Sequence, residues 1–130
     1  MRVKEIMQKV KSVESTCSVK DAAELMSRLR MGSLIVKEGK KVVGIITERD
    51  IMSKVVSKDK QPGSVKVKDI MSSRLVTTEP EALIDDAVYL MLKHKIKKLP
   101  VIKDKELVGI LTSTDLVKNS DEIGQFYFFD

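Results

Sequence analysis

The chain has 130 residues, a formal net charge of +5, one cysteine and one histidine. Its length suits one domain, and because a half of about 60 residues would be marginal alone, we expect two halves that share one core. One cysteine excludes an internal disulfide, and one cysteine with one histidine excludes a zinc site of the usual spacing. The sequence shows neither an apolar run of roughly 20 residues nor a signal-peptide pattern, so we expect a cytoplasmic protein without a membrane contact.

Two segments of the sequence occur twice. Residues 3–7 (VKEIM) match residues 67–71 (VKDIM), and residues 42–51 (VVGIITERDI) match residues 107–116 (LVGILTSTDL). Two copies at this long period indicate a duplicated subdomain, because solenoids need at least about three shorter repeats. Two related halves tend to pack about a pseudo-twofold axis, and the cleft between them can then hold ligands in pairs.

The first half predicts the order β-α-β-β-α. An extended segment at residues 10–13 follows the VKEIM lead-in. Apolar residues at helical spacing then predict an amphipathic helix from Val19 to Leu29. Two apolar strands at residues 34–36 and 42–46 flank a short polar connection, as in a hairpin, and a second helix follows Thr47.

The second half repeats this order. An extended segment at residues 75–78 precedes an amphipathic helix, with Pro80 where a first helical turn tolerates proline. Strands at residues 99–102 and 107–111 form the second hairpin, and another helix follows Thr112. His94 lies on the apolar stripe of the helix, which favours a packed or capping histidine over a catalytic one.

We divide the chain into a first repeat at residues 1–60, a polar linker at 61–64, a second repeat at 65–118 and a tail at 119–130. The tail holds four of the aromatic residues, which are Phe126, Tyr127, Phe128 and Phe129. Because aromatic side chains bring large apolar area, this segment either packs on its own domain or contacts a partner.

The repeated Thr-x-x-Asp is the main candidate for chemistry. Thr47 and Asp50 follow one apolar strand, and Thr112 and Asp115 follow the other. A Thr three residues before an acidic residue at a helix start is typical of a capping box or a close relative of one. The same geometry offers a hydroxyl and free N–H groups to a phosphate and a carboxylate to ribose hydroxyls. The local sequence leaves both interpretations open. Nucleotide-binding and hydrolase motifs such as GxGxxG, GxxxxGK[ST] and GxSxG are absent, so we expect no enzyme.

These pieces, in the same order twice, resemble a tandem pair of cystathionine β-synthase (CBS) domains, a Bateman module. The matching segments are VKEIM/VKDIM, the helices near Ala22 and Ala87, GSLIV/KKLPV and GIITERD/GILTSTD, and they cover roughly residues 1–118. The resemblance implies an α/β fold of the α+β type, in which two β-α-β-β-α repeats pack sheet to sheet. It also implies clefts for adenosine-containing ligands such as AMP, ADP, ATP or S-adenosylmethionine, with no required cofactor and no metal. A homodimer with disk shape and a separate regulated protein are the implied partners.

The resemblance places the ribose on the aspartate and the phosphates near the threonine of each motif. It assigns the two sites as composites of both repeats. The first site comprises Thr47, Arg49, Asp50, Val76, Thr77, Ile96, Lys97, Lys98 and Pro100. The second comprises Thr112, Thr114, Asp115, Lys11, Ser12, Met31, Gly32 and Ser33.

The two implied sites differ in charge. Arg49, Lys97 and Lys98 would gather at the first, where the second has Thr114, Gly32 and Ser33. Charge-assisted contacts to phosphate are about twice as strong as neutral ones, so we expect the first site to prefer phosphorylated ligands. The sequence also departs from a strict repeat at Ile35, which corresponds to Pro100.

Two alternatives remain for the function. The basic excess lies in residues 1–64, which suits a nucleic-acid partner, although the chain before the tail has almost no aromatics to stack on bases. The other alternative is a structural dimerisation module without a ligand. A solvated lysine-rich surface is the favoured interpretation of the charge as a whole.

Overall fold

The structure, a computed structural model, describes residues 1–123, with backbone alone for residues 122 and 123. The aromatic residues of the tail, Phe126 to Phe129, lie outside the described residues. The helices are α1 (Val19–Leu29), α2 (Glu48–Ile51), α3 (Ile84–His94), α4 (Ser113–Lys118) and α5 (Ser120–Ile123). The strands are β1 (Ser12–Glu14), β2 (Ser33–Glu38), β3 (Lys41–Thr47), β4 (Lys98–Lys103) and β5 (Glu106–Thr112). The predicted mixed α+β class is confirmed.

Both predicted hairpins are present as antiparallel pairs, β2 with β3 and β4 with β5. Their turns use backbone conformations that suit short connections: Gly39 has φ 61°, and Asp104 and Lys105 have φ 50° and 67°. The helix predicted from Val19 to Leu29 has those bounds, and the Ser18 hydroxyl caps it by accepting the Asp21 N–H at 3.0 Å. The spacing of apolar residues and the short polar connections therefore sufficed to predict these elements.

The first strand of each repeat differs from the prediction. In the first repeat it lies at Ser12–Glu14 and pairs in parallel with β2. In the second it is reduced to a single bridge between Thr78 and Val101. The Ile35 N–H donates to the Lys11 carbonyl oxygen at 3.3 Å, whereas the corresponding residue, Pro100, has no N–H to donate. The missing donor explains why the second copy forms a shorter strand.

Pro80 does not lie in a helical turn as predicted, since α3 begins at Ile84 after Leu83. Its carbonyl oxygen instead accepts the Lys4 N–H at 3.0 Å. The last residue of α3, His94, is exposed, so of the two predicted roles the packed one is wrong, and the capping one stays a prediction. The apolar stripe ends before it, with Met91 as the last buried residue of the helix.

The chain divides into two compact units. Each unit contains the lead-in segment of the other repeat, where the lead-in of the first repeat is residues 3–7 (VKEIM) and that of the second is residues 67–71 (VKDIM). The first unit comprises residues 11–75, and the second comprises residues 1–10 with the chain from residue 76 onward. The backbones of Ile45 and Ser72 pair by two hydrogen bonds, which adds the lead-in of the second repeat to β3. Gln8 and Ile110 pair in the same way, which adds the lead-in of the first repeat to β5. The linker predicted at residues 61–64 lies inside the first unit, where Pro62–Ser64 form a 3₁₀ turn.

Most of the buried apolar residues form two clusters, one in each unit; Ile35 and Ile110, which are also buried, belong to neither. The cluster of the first unit comprises Val19, Ala22, Met26, Leu34, Val36, Ile46, Val55, Val67 and Ile70. The cluster of the second comprises Val3, Ile6, Ile84, Ala87, Val88, Met91, Leu99, Val101, Leu111 and Leu116. Val3 and Val67, from the exchanged lead-ins, are fully buried. Each unit thus completes its core with apolar residues from the other repeat.

Candidate functional site

The Thr-x-x-Asp motif forms the same hydrogen-bonded arrangement in both units. Asp50 Oδ2 accepts the Thr47 N–H at 3.0 Å and the Thr47 hydroxyl at 3.1 Å, and the Asp50 N–H donates to Thr47 Oγ1 at 3.2 Å. This is a capping box at the start of α2. The predicted capping role is therefore confirmed in the first unit, and it leaves the second carboxylate oxygen outside the box.

The second unit repeats the arrangement at the start of α4. Asp115 Oδ2 accepts the Thr112 N–H at 2.8 Å and the Thr112 hydroxyl at 2.9 Å, and the Asp115 N–H donates to Thr112 Oγ1 at 3.2 Å. Asp115 is 4% exposed. A threonine hydroxyl has one hydrogen, so in both motifs the aspartate already takes it. A ligand phosphate would have to compete with the carboxylate for that donor.

The ends of the hairpins bring further predicted site residues beside each motif. In the first unit Ser33 pairs with Thr47 across β2 and β3, and the Gly32 carbonyl oxygen accepts the Glu48 N–H at 3.0 Å. In the second unit Lys98 pairs with Thr112, and the Lys97 carbonyl oxygen accepts the Ser113 N–H at 2.9 Å. This proximity follows from hairpin register, which places the start of one strand opposite the end of the next.

The remaining predicted residues divide between the units. Lys11, Ser12, Met31 and Arg49 lie in the first unit; Val76, Thr77, Ile96, Pro100 and Thr114 lie in the second. Arg49, Lys97 and Thr114 are exposed, whereas Ser33 and Pro100 are buried. Each unit has basic side chains of its own near its motif, Arg49 in one and Lys97 in the other. The pairing of residues from both repeats into each site stays a prediction.

Sequence reasoning missed Lys54. Its ammonium nitrogen lies 3.2 Å from Asp50 Oδ1 and donates to the Ile70 carbonyl oxygen at 2.8 Å. The signal was present, because oppositely charged residues four apart on a helix are neighbours. Lys54 belongs to a π-helical turn, Met52–Val56, that continues α2. It is the charged group closest to the first motif's carboxylate among those whose contacts we describe.

Other chemistry is sparse in the described part of the chain. Residues 1–123 contain no group of three or more His, Cys, Asp or Glu that could hold a metal ion. None of their helices is long and apolar enough to cross a membrane. An open surface pocket of about 570 Å³ in the first unit is lined by Lys60, Gln61, Ser64, Val65, Asp69 and Ile70. None of these residues was predicted for a site.

The family model of the CBS domain matches residues 3–57 and 67–122. Among curated relatives, the uncharacterized protein MJ0450 of Methanocaldococcus jannaschii is 36% identical over 91% of this chain and 65% of its own length. The chain spans 52% of another relative, the uncharacterized protein MK0525 of Methanopyrus kandleri. It thus covers between half and two thirds of these relatives.

The inosine-5′-monophosphate dehydrogenase of Nitrosopumilus maritimus is 32% identical, but the match covers 22% of that enzyme. The CBS domain pair of protein MJ0100 was solved in complex with 5′-methylthioadenosine and S-adenosyl-L-methionine. It is 28% identical, covers 95% of this chain and 98% of its own, and superposes with a TM-score of 0.83.

Proposed function

The chain is a member of the CBS domain family, and we propose that it is a regulatory module that binds adenosine-containing ligands and signals their occupancy to a partner protein. The observation that carries this proposal is the repeated Thr-x-x-Asp motif, whose aspartate has one carboxylate oxygen outside the capping box in each unit. An ionised carboxylate is an acceptor only, which suits the hydroxyls of a ribose. The two ligands of the MJ0100 pair both contain adenosine, which supports the same ligand class here.

In this proposal Asp50 and Asp115 each accept hydrogen bonds from a ribose. The remaining residues complete the sites as the resemblance assigns them, so that Lys97 and Lys98, which start the second hairpin beside Thr112, also join Arg49 at the Thr47 site. That site then prefers AMP, ADP or ATP over uncharged adenosine, because charge-assisted contacts to phosphate exceed neutral ones. Its preference for phosphate should weaken as salt is raised, since exposed charges are screened. Equal preferences at both sites would contradict this assignment.

Signalling requires that a ligand bind one arrangement of the protein better than another. We propose that the module acts as a homodimer on a separate protein, with the binding of an adenosine ligand shifting the population of arrangements. Sedimentation velocity with and without AMP tests this: a dimer, or a change in sedimentation with AMP, supports the proposal, whereas a monomer under both conditions contradicts it.

A thermal-unfolding panel tests the ligand class. AMP, ATP, adenosine, 5′-methylthioadenosine and S-adenosylmethionine are compared with GMP, cytidine monophosphate and a single-stranded polynucleotide. A ligand at 100 times its dissociation constant stabilises the folded state by about 2.7 kcal/mol. Stabilisation by adenosine compounds over the other nucleotides supports the proposal. A shift with the polynucleotide alone would favour nucleic-acid binding, and no shift with any adenosine compound would contradict ligand sensing.

A further inference from the structure

The carboxylate of Asp50 is engaged on both of its oxygens. Oδ2 accepts the N–H and the hydroxyl of Thr47, at 3.0 and 3.1 Å. Oδ1 faces the Lys54 ammonium at 3.2 Å. The Asp50 side chain is 16% exposed and the Lys54 side chain is 47% exposed, so the carboxylate is largely shielded from water and the ammonium is not. The three donors, which are the N–H and the hydroxyl of Thr47 and the ammonium of Lys54, all lie in the first unit.

Lys54 is held in place from its other side. Its ammonium donates to the Ile70 carbonyl oxygen at 2.8 Å, so one cation bridges α2 and the lead-in of the second repeat. The backbone around it is the π-helical turn Met52–Val56, in which the Ser57 N–H donates to the Met52 carbonyl oxygen at 2.9 Å. π-Helical turns are rare and are frequent at functional sites. The Lys54 ammonium thus contacts two elements, α2 and the lead-in of the second repeat, while its side chain is 47% exposed.

The second unit has no lysine at the corresponding position. The residue that corresponds to Lys54 is Asn119, whose side-chain amide donates to the Asp115 backbone carbonyl oxygen at 2.7 Å and not to the carboxylate. Within residues 1–123, the hydrogen bonds of the Asp115 carboxylate are those of Oδ2 with Thr112. The two motifs therefore share a capping box but differ at Oδ1.

This difference changes the number of hydroxyls that each carboxylate can accept. An ionised carboxylate has about four lone-pair positions on its two oxygens. Thr47 or Thr112 occupies two of them, on Oδ2. Among residues 1–123, no hydrogen bond to Asp115 Oδ1 is present, so its two positions remain for a ligand, whereas at Asp50 the Lys54 ammonium takes one of them. The vicinal diol of a ribose has two hydroxyls to donate.

We propose that Lys54 determines sugar specificity by leaving Asp50 one acceptor position, so that the first motif binds one ribose hydroxyl while Asp115 binds both. The proposal rests on the proposed function, because it presumes that an adenosine ligand meets these carboxylates. It makes Lys54 a positioning residue that acts through Asp50. Its consequence is that the Asp50 site tolerates a deoxyribose and the Asp115 site does not.

Calorimetry with AMP, 2′-deoxy-AMP and 3′-deoxy-AMP tests the proposal, one site at a time. Asp115→Asn leaves the Asp50 site, and Asp50→Asn leaves the Asp115 site; asparagine keeps the side-chain size. At Asp115 both deoxy ligands should bind about 10-fold or more weakly than AMP, as expected for a lost hydrogen bond to a charged group. At Asp50 at least one deoxy ligand should bind within about 3-fold of AMP, because one acceptor position was already taken.

Lys54→Met in the Asp115→Asn background is the decisive variant. It removes the ammonium and keeps an unbranched side chain, so both deoxy ligands should now bind about 10-fold or more weakly than AMP. The ratio of affinities is the readout because it cancels any effect of the lost positive charge on phosphate. Lys54→Arg should keep the tolerance of the native site. Lys58→Met, at an exposed lysine of the same unit, is the matched control and should leave the ratio unchanged.

Three outcomes overturn the proposal. Equal ratios at the Asp50 and Asp115 sites, or an unchanged ratio in Lys54→Met, would do so while leaving adenosine binding intact. Failure of AMP to bind the native protein and all variants would overturn the proposed function together with this inference. Thermal unfolding without ligand verifies that each variant is folded before its ratio is compared.

Discussion

Met71 lies directly over Gly44. A Cβ atom on Gly44 would be 2.6 Å from the Met71 sulfur and 2.8 Å from the Ser72 carbonyl oxygen. The second unit has the same relationship between Gly109 and Met7, with the Met7 sulfur and the Gln8 carbonyl oxygen both 2.9 Å from such an atom. The glycine of each hairpin thus allows the lead-in of the other repeat to approach β3 or β5. This explains why VKEIM and VKDIM repeat together with the Gly-apolar-apolar-Thr segment.

Gly44→Ala and Gly109→Ala should each lower the free energy of unfolding by about 1–3 kcal/mol, since overpacking displaces the backbone of the lead-in. Urea denaturation followed by circular dichroism measures the change. Gly63→Ala is the control, because a Cβ atom there would meet nothing nearer than the Lys20 side chain at 4.0 Å. Equal stabilities of Gly44→Ala and Gly63→Ala would contradict the close approach.

Because each lead-in is buried with the other repeat, shortening a buried valine in a lead-in should destabilise the other repeat. Val3→Ala should lower stability by about 2 kcal/mol, and amide protection should fall in α3, β4 and β5. Val67→Ala should lower it similarly but reduce protection in α1, β2 and β3. Hydrogen exchange with peptide resolution distinguishes the two patterns. Loss of protection in the repeat that contains the substituted residue would contradict the exchange.

The capping box predicts a stability effect that needs no ligand. Thr47→Val and Thr112→Val should each lower the free energy of unfolding by about 0.5–2 kcal/mol, because the helix loses its capping oxygen. Thr47→Ser and Thr112→Ser retain the hydroxyl and should remain close to the native protein. Thermal or urea unfolding measures these effects. Valine variants as stable as the serine variants would rule out a structural role for the hydroxyl.

Cys17 should ionise at higher pH than an ordinary thiol. Burial raises the pKa of the Cys17 thiol, and the nearby Asp21 carboxylate raises this pKa further, against an opposing hydrogen bond from the Ala22 backbone. Alkylation by iodoacetamide should therefore accelerate only as the pH passes above the usual thiol range. Asp21→Asn should move the pH profile to lower pH, since the thiolate no longer faces a negative charge. Glu24→Gln, on the exposed face of α1, is the control, and an Asp21→Asn profile that matches it would contradict the electrostatic cause.

The sequence predicted the hairpins and α1 well, because two apolar segments flank each short polar connection and the apolar residues of α1 recur at helical spacing. It failed where a single backbone group decided the outcome. Pro100 has no N–H to donate, which shortened the first strand of the second repeat to the Thr78 bridge. The two cores were also missed, because no local pattern states that Val3 is buried with α3 and Val67 with α1.

In the candidate site, too, local structure could be predicted from the sequence and contacts between distant segments could not. The spacing of Thr47 and Asp50 predicted the capping box, since that structure depends on three consecutive peptide units. The role of Lys54 depends on the Ile70 carbonyl oxygen, which comes from a segment 16 residues away in the chain. Side-chain contacts of this kind require the fold, although the spacing of Asp50 and Lys54 by four residues pointed to the pair.

The central claim is that Asp50 and Asp115 bind an adenosine ligand. Titration calorimetry with AMP on the native protein, Asp50→Asn, Asp115→Asn and the double variant tests it most directly. We predict that each single variant loses one set of sites and that the double variant binds AMP at least about 10-fold more weakly, as expected when hydrogen bonds to charged groups are lost. Native affinity and stoichiometry in a folded double variant would contradict the account.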